Sequence, residues 1–177
     1  MEQQRSSWLD MRRRGVWIIA FFAFSVIIMF LGARMPVNLT DAQPIYNEFE
    51  NELKYTATVP GIFGNNFFQC LILFTPFLGP LYGALVFFNT GFAIAIIAVV
   101  KHANAGWLFT LLFFFPHTWL ELFAYSLALS QSVFLSIAII KGRFRQEVVR
   151  TCVVMTICAL ILLLAAVAEV ILISLGG

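Results

Sequence analysis

The sequence predicts an all-α membrane protein: a polytopic transmembrane bundle of about five spanning helices, with a re-entrant or broken-helix segment and one amphipathic extracytoplasmic helix. Hydrophobic residues make up 61% of its 177 positions and charged residues 11%, whereas soluble proteins have roughly 25% charged residues. Residues 55–100 contain no charge, residues 102–140 contain only Glu121, and residues 151–177 contain only Glu169. Each run exceeds the ~20 apolar residues that cross a bilayer. The runs do not alternate as the strands of a membrane β-barrel would.

Basic residues set the expected orientation. They cluster at Arg5 and Arg12–Arg14, before the first apolar run, and again within 141–150. The segment 34–66 carries more acidic than basic residues. The positive-inside rule then places both basic clusters on the cytoplasmic side and the acidic segment outside. With one further crossing after residue 150, we expect a cell-membrane protein with a cytoplasmic N-terminus and an outside C-terminus. Basic clusters beside membrane spans are typical topology signals, so we expect no nucleic-acid partner.

The apolar runs divide the chain into segments of a single membrane domain, 1–177. The first apolar run is long for a signal peptide, which favours a retained membrane anchor. The predicted segments are a cytoplasmic N-terminus (1–14), a first span (15–33), an outer loop with the amphipathic helix (34–65), a broken helix pair (66–100), a re-entrant segment followed by a span (107–140), a cytoplasmic loop (141–150) and a last span (151–175).

The outer loop contains the pattern of an amphipathic helix from about Ala42 to Ala57. Asp41 is suited to cap its N-terminus. Ile45, Phe49 and Leu53 recur every four residues and therefore share one face. Such a helix suits the outer membrane face or a partner protein, and it equally suits a cover over the protein's own helices.

Two apolar stretches, 66–100 and 107–140, have lengths that fit neither one span nor two. As a single straight helix each would be roughly 50 Å long, against a hydrocarbon core of about 30 Å. We expect helix breaks at Pro76, Pro80 and Pro116. The first stretch then forms two shorter crossings, and the second enters by a re-entrant segment that ends at Pro116. An internal duplication at an offset of 40 residues is an alternative origin for these paired breaks.

Several polar residues fall inside the predicted spans. An ionisable side chain in hydrocarbon costs about 2.5–3.5 kcal/mol, so such groups should face the bundle interior and satisfy one another. His117 and Glu121 lie four residues apart and so share a helix face. The expected intramembrane polar cluster consists of Asn65, Asn66, Asn89, His117, Glu121 and Glu169, with Gln69 and Gln131 as lesser candidates.

The chemistry of this cluster has more than one interpretation. It can be a structural hydrogen-bond cluster, which we favour, or a path for a proton, ion or substrate. We expect no metal site and no cofactor, since one histidine is available on that face and no soft ligand is near it. We also expect no catalytic residues. In particular, the spans lack the aspartate, the His-Glu-x-x-His motif and the Gly-x-Ser motif that intramembrane proteases of the aspartyl, zinc and serine types would use.

Four short motifs support a family resemblance. They are Phe63-Gly64-Asn65-Asn66, Phe88-Asn89-Thr90-Gly91, Pro116-His117-Thr118-Trp119-Leu120-Glu121-Leu122 and Ala168-Glu169. In this order and spacing the sequence resembles the stage II sporulation protein M family over residues 61–170. Members usually carry glycine after the histidine, where this chain has Thr118. The resemblance implies a polytopic membrane protein of a kind thought to scaffold a cell-wall-remodelling complex.

The expected function follows from these observations together. We expect an integral membrane scaffold or assembly subunit of a larger membrane complex, in contact with lipid and present as a homodimer or with other membrane proteins. The alternative is a small oligomeric transporter or channel that uses the polar cluster for proton, ion or substrate passage.

Overall fold

The computed structural model describes residues 2–176, with side chains from Arg12 to Leu175 except Leu53. The part of the chain so described is helical and contains no strand, which confirms the all-α prediction. The side chains of Arg5, in the first basic cluster, and of Leu53, in the amphipathic pattern, lie outside the described part of the chain. The helices are α1 (Glu2–Ala33), α2 (Leu39–Thr56), α3 (Val59–Leu73), α4 (Gly79–Val100), α5 (Ala105–Leu112), α6 (Pro116–Ile140) and α7 (Phe144–Gly176).

Four of the described helices contain segments long and apolar enough to cross a membrane. These segments are Arg12–Ala33, Gly79–Val100, Pro116–Ile140 and Phe144–Leu175. The sequence predicts about five spans. The fifth would be α3, which is apolar but has only 15 residues. It falls short of the ~20 residues of a full straight span. The segment before Pro116 forms the short helix α5 of eight residues.

The amphipathic helix α2 covers the protein's own helices. It packs mainly against α4 and, at its end, against α3. It begins at Leu39, before the predicted cap, so Asp41 lies in its first turn, where a negative charge is favourable. Ile45 and Phe49 are partly buried, whereas Glu50 is exposed.

The connection between α6 and α7 is shorter than predicted. Only residues 141–143 separate the helices, and α7 begins at Phe144, so most of the predicted loop 141–150 is helical. Gly142 has a φ of +66°, a left-handed conformation that glycine adopts without steric cost. This tight turn replaces the longer loop.

The break between α3 and α4 is held by two serines of α6. Pro76 lies in the break, and Phe77 has a φ of +64°, which is uncommon for a residue other than glycine. The Phe77 N–H donates to Ser136 Oγ at 2.8 Å, and Ser132 Oγ donates to the Thr75 carbonyl at 2.7 Å. The two serines thus supply hydrogen-bond partners to backbone groups at the break, where lipid offers none.

Two prolines lie at helix starts. Pro80 and Pro116 occupy the first turns of α4 and α6. The N–H groups in the first turn of a helix have no acceptor within the helix. Proline, which lacks an N–H, is therefore well tolerated there. These residues therefore begin helices rather than interrupt them.

Helices α1 and α4 approach each other closely at two glycines. A Cβ on Gly91 would overlap the Met29 carbonyl oxygen, and a Cβ on Gly32 would overlap the Phe88 carbonyl oxygen. Small residues at such crossings let two backbones come into van der Waals contact, which is a main source of helix association in membranes. The α1–α4 pair therefore depends on both glycines.

We predict that Gly91→Ala destabilises the protein by about 1–3 kcal/mol, the usual cost of overpacking a tight interface. The matched control is Gly15→Ala on α1, where a Cβ meets nothing within 4 Å. Thermal unfolding in detergent, followed by size-exclusion chromatography, measures the difference. Equal midpoints for the two variants would contradict the close α1–α4 contact.

Candidate functional site

A cavity of about 430 Å³ lies under α2, at one end of the bundle. Helices α2, α3, α4, α6 and α7 all contribute to its wall, and it is partly open to the exterior. Its volume falls within the range of small-ligand sites. The lining residues are Phe49, Glu52, Thr56, Gly61, Ile62, Asn65, Asn66, Ala93, Ile97, Glu121 and Glu169.

A short hydrogen bond joins α3 to α6 in the wall of this cavity. Asn66 Nδ2 donates to Glu121 Oε1 at 2.6 Å. One turn further along α6, the Tyr125 hydroxyl donates to the Asn66 carbonyl at 3.4 Å. Glu121 and Tyr125 are four residues apart and so face α3 together. The contact places an amide and a carboxylate where the sequence predicted a polar cluster.

Three carboxylates from three different helices line the cavity. Glu52 comes from α2, Glu121 from α6 and Glu169 from α7. No basic side chain lines it, and the ion pairs formed within the described part of the chain involve none of the three. A lining so rich in oxygen acceptors suits hydrogen-bond donors. Among the described side chains, no group of three or more histidines, cysteines or acids is placed to hold a metal ion.

Asn65 lies at the cavity but contributes little to its hydrogen bonding. Its side chain is exposed, and it is at 3.5 Å from both Asn66 Oδ1 and Gln69 Nε2. Both distances are at the outer limit for a hydrogen bond. Asn66 is therefore the member of the asparagine pair that connects helices.

His117 does not join the cavity, although it lies one turn before Glu121. Its ring stacks on Phe115, with a centroid distance of 5.7 Å. Its Nδ1 is buried and has no hydrogen-bond partner among the described residues. Glu121 turns instead to Asn66 on α3. The two side chains share a helix face, but no hydrogen bond joins them in the described part of the chain.

Asn89 lies away from the predicted cluster, and its expected position in the bundle interior is wrong. Its side chain is exposed on α4, whereas Phe87 and Gly91 are buried. Two residues correspond to about 200° around an α-helix, so Asn89 lies opposite the face that packs inward. The sequence did not show which side of this apolar helix faces the bundle.

A second polar cluster occupies the other end of the bundle, and most of it was not predicted. Arg14 of α1 donates to Gln131 Oε1 of α6 at 3.0 Å and pairs with Glu147 of α7 at 2.7 Å. Gln131 Nε2 donates to Glu147 Oε1 at 2.8 Å and to Thr151 Oγ1 at 3.0 Å. Gln131, a carboxamide in an apolar run, was the one available signal. Arg14 and Glu147 lie in the two charged segments that were interpreted as topology signals, so the sequence did not indicate that they pair.

The long apolar helices, with polar groups joined between them, define an α-helical integral membrane protein. Within that class, the family model described as Stage II sporulation protein M matches residues 18–172. The chain belongs to this family, as the resemblance of its motifs indicated. Comparison with curated proteins and with solved structures gives no match.

We predict that Asn66 and Glu121 are energetically coupled. In a double-mutant cycle with Asn66→Ala and Glu121→Ala, the double variant should lose less stability than the sum of the two single variants. Hydrogen bonds between membrane helices average about 0.6 kcal/mol in such cycles, which sets the expected coupling. The exposed Asn89→Ala, on α4, is the control and should leave the unfolding midpoint unchanged. Strictly additive effects would show that the pair does not join α3 to α6.

Proposed function

We propose that this protein is an integral membrane scaffold or assembly subunit of a larger membrane complex, with polar clusters that fix its helix packing. The observation that carries the proposal is the Asn66–Glu121 hydrogen bond, because it uses a carboxylate of the cavity wall to join two helices. A carboxylate that carried a proton or ion would need to exchange partners. Here it has an amide partner on a neighbouring helix.

The polar cluster at the opposite end supports the same role. Arg14, Gln131 and Glu147 come from α1, α6 and α7, and they are bonded to one another. Pairing offsets the cost of burying such groups, and losing one partner is strongly destabilising. These residues act as connections between helices.

The distribution of buried surface leaves room for partner helices. In the most apolar 18-residue stretch of α6, 56% of the residues are buried within the bundle, against 28% in α1 and 22% in α7. Helix α6 is therefore central, while α1 and α7 bury a smaller share of their residues within the bundle. Lipid or the helices of a partner would cover these faces, in a homodimer or in a complex with other membrane proteins. Such a scaffold acts without catalysis and needs no cofactor.

For the orientation, we propose a multi-pass cell-membrane protein with a cytoplasmic N-terminus and an outside C-terminus. The Arg14–Glu147 pair supports this orientation, because it places the two basic segments at the same end of the bundle. The positive-inside rule assigns that end to the cytoplasm. Helix α2 and the cavity would then lie at the outer side.

Purification from mild detergent tests the scaffold role. We expect the parent protein to elute as a stable oligomer or with copurifying membrane proteins. Glu121→Ala should lower the unfolding midpoint and reduce this assembly, because it removes the acceptor of the α3–α6 hydrogen bond. Asn89→Ala, which changes an exposed polar residue of α4, should change neither property.

The same variants separate a scaffold from a transporter. Each is reconstituted in liposomes and assayed for proton and ion flux. If Glu121→Ala keeps its stability and its assembly but abolishes a flux that the parent supports, the scaffold proposal is wrong.

Cysteine labelling tests the orientation. Glu50 and Gln146 are both exposed, one on α2 and the other near the start of α7. Glu50→Cys should react with an impermeant maleimide added to intact cells, and Gln146→Cys should react only after permeabilisation. The parent protein, with its three native cysteines, gives the background. The reverse labelling pattern would overturn the proposed orientation.

A further inference from the structure

We propose that the Arg14 end of the bundle carries a binding surface for the headgroups of anionic phospholipids. This basic rim consists of Arg12, Arg13, Lys141, Arg143 and Arg145, all of which are exposed. The proposal does not depend on the scaffold role or on which side of the membrane this end faces.

The tertiary structure brings two distant basic segments together. Arg12 and Arg13 precede Arg14 on α1, while the other three bases flank the turn between α6 and α7. Arg14 joins the segments through its 2.7 Å pair with Glu147 and through its guanidinium, which lies 4.2 Å from the centroid of the Phe134 ring. In the sequence the two segments are more than a hundred residues apart. In the fold they form one surface.

The charge of this surface is poorly compensated. Residues 12–14 and 141–150 together contain seven basic residues and one acidic residue, Glu147. Glu147 is already paired, with Arg14 and with Arg150 at 3.4 Å. Within the described side chains, the five bases of the rim form no ion pair. Asp10, the nearest further acid in the sequence, has a side chain outside the described residues.

The position of the basic rim favours phospholipid over other anions. Ile139, Ile140 and Phe144 are exposed beside it, with Ile140 74% exposed. Apolar side chains of this kind at the end of a spanning helix contact acyl chains, so the adjacent bases lie at the depth of the headgroup phosphates. Guanidinium groups match phosphate in geometry as well as in charge. Clusters of four to eight bases beside a span are typical sites for anionic lipids.

The structure also separates two roles among the bases. Arg14 is partly buried, with 24% of its side chain exposed, and it bonds to α6 and α7. The exposed bases make no such contact with another helix in the described part of the chain. Replacing Arg14 should therefore weaken the fold in every lipid, whereas replacing the rim should matter only where anionic lipid is present. A topology signal that acts only during insertion predicts no such lipid dependence in the folded protein.

The test uses the full chain in nanodiscs of phosphatidylcholine, alone or mixed with phosphatidylglycerol. The rim variant combines Arg12→Gln, Arg13→Gln, Arg143→Gln and Arg145→Gln. The matched control combines Arg34→Gln, Lys54→Gln and Lys101→Gln, which are exposed bases at the α2 end. The unfolding midpoint is measured for each protein in each lipid at low and high salt, and native mass spectrometry counts the retained lipids.

We expect the parent to unfold at a temperature several degrees higher in the anionic discs and to retain phosphatidylglycerol. This gain should shrink at high salt, because salt screens exposed charges. The rim variant should lose most of the gain while matching the parent in phosphatidylcholine alone. The control should keep the gain. Arg14→Gln should unfold at a lower temperature than the parent in both lipids.

Three outcomes would overturn the proposal. The parent could gain nothing from anionic lipid, the rim variant could keep the parent's gain, or the α2-end control could lose as much as the rim variant. A further measurement adds inorganic phosphate to phosphatidylcholine discs. If phosphate alone reproduces the full gain, the surface binds free anions and is not a phospholipid site.

Discussion

Polar groups inside a membrane must find hydrogen-bond partners within the protein, because lipid offers none. Three contacts in this bundle meet that requirement. Serines of α6 satisfy the broken backbone between α3 and α4, Asn66 bonds to Glu121, and Arg14 bonds to Gln131 and Glu147. Each contact joins helices that are distant in sequence. The same requirement that makes these groups costly in lipid therefore gives the bundle its specific arrangement.

Helix α6 takes part in all three contacts. Near its beginning it bonds to α3, and in its C-terminal half it bonds to the α3–α4 break. Through Gln131 it bonds to α1 and α7. It is also the most buried of the four long helices. The outer helices α1 and α7 are anchored to this central helix at one end and leave much of their surface free. This division into a fixed centre and free flanks is consistent with a subunit that assembles with other membrane helices.

The two ends of the bundle differ in chemistry. Beneath α2, the cavity carries carboxylates and carboxamides, and no basic side chain lines it. At the other end, the one described acid is enclosed by Arg14 and Arg150, and exposed bases surround them. The asymmetry fits a membrane with different surroundings on its two faces, since basic clusters favour the cytoplasmic side and its anionic lipids.

The sequence by itself determined the properties that neighbouring residues carry. Charge-free runs gave the all-α membrane class, Pro76 and Pro116 marked where helices end or begin, and the motif around Pro116 indicated the family. The tertiary structure decided which polar residues meet. It turned Asn89 outward, left His117 without a hydrogen-bond partner among the described residues, shortened the loop at Gly142, and placed Arg14 against Glu147. The physical reason is that hydropathy and helix breaking are local, whereas a side chain's partner depends on how each helix is rotated against the others. In an almost uniformly apolar helix such as α4, composition does not reveal that rotation; close contacts such as Gly91 against Met29 set it.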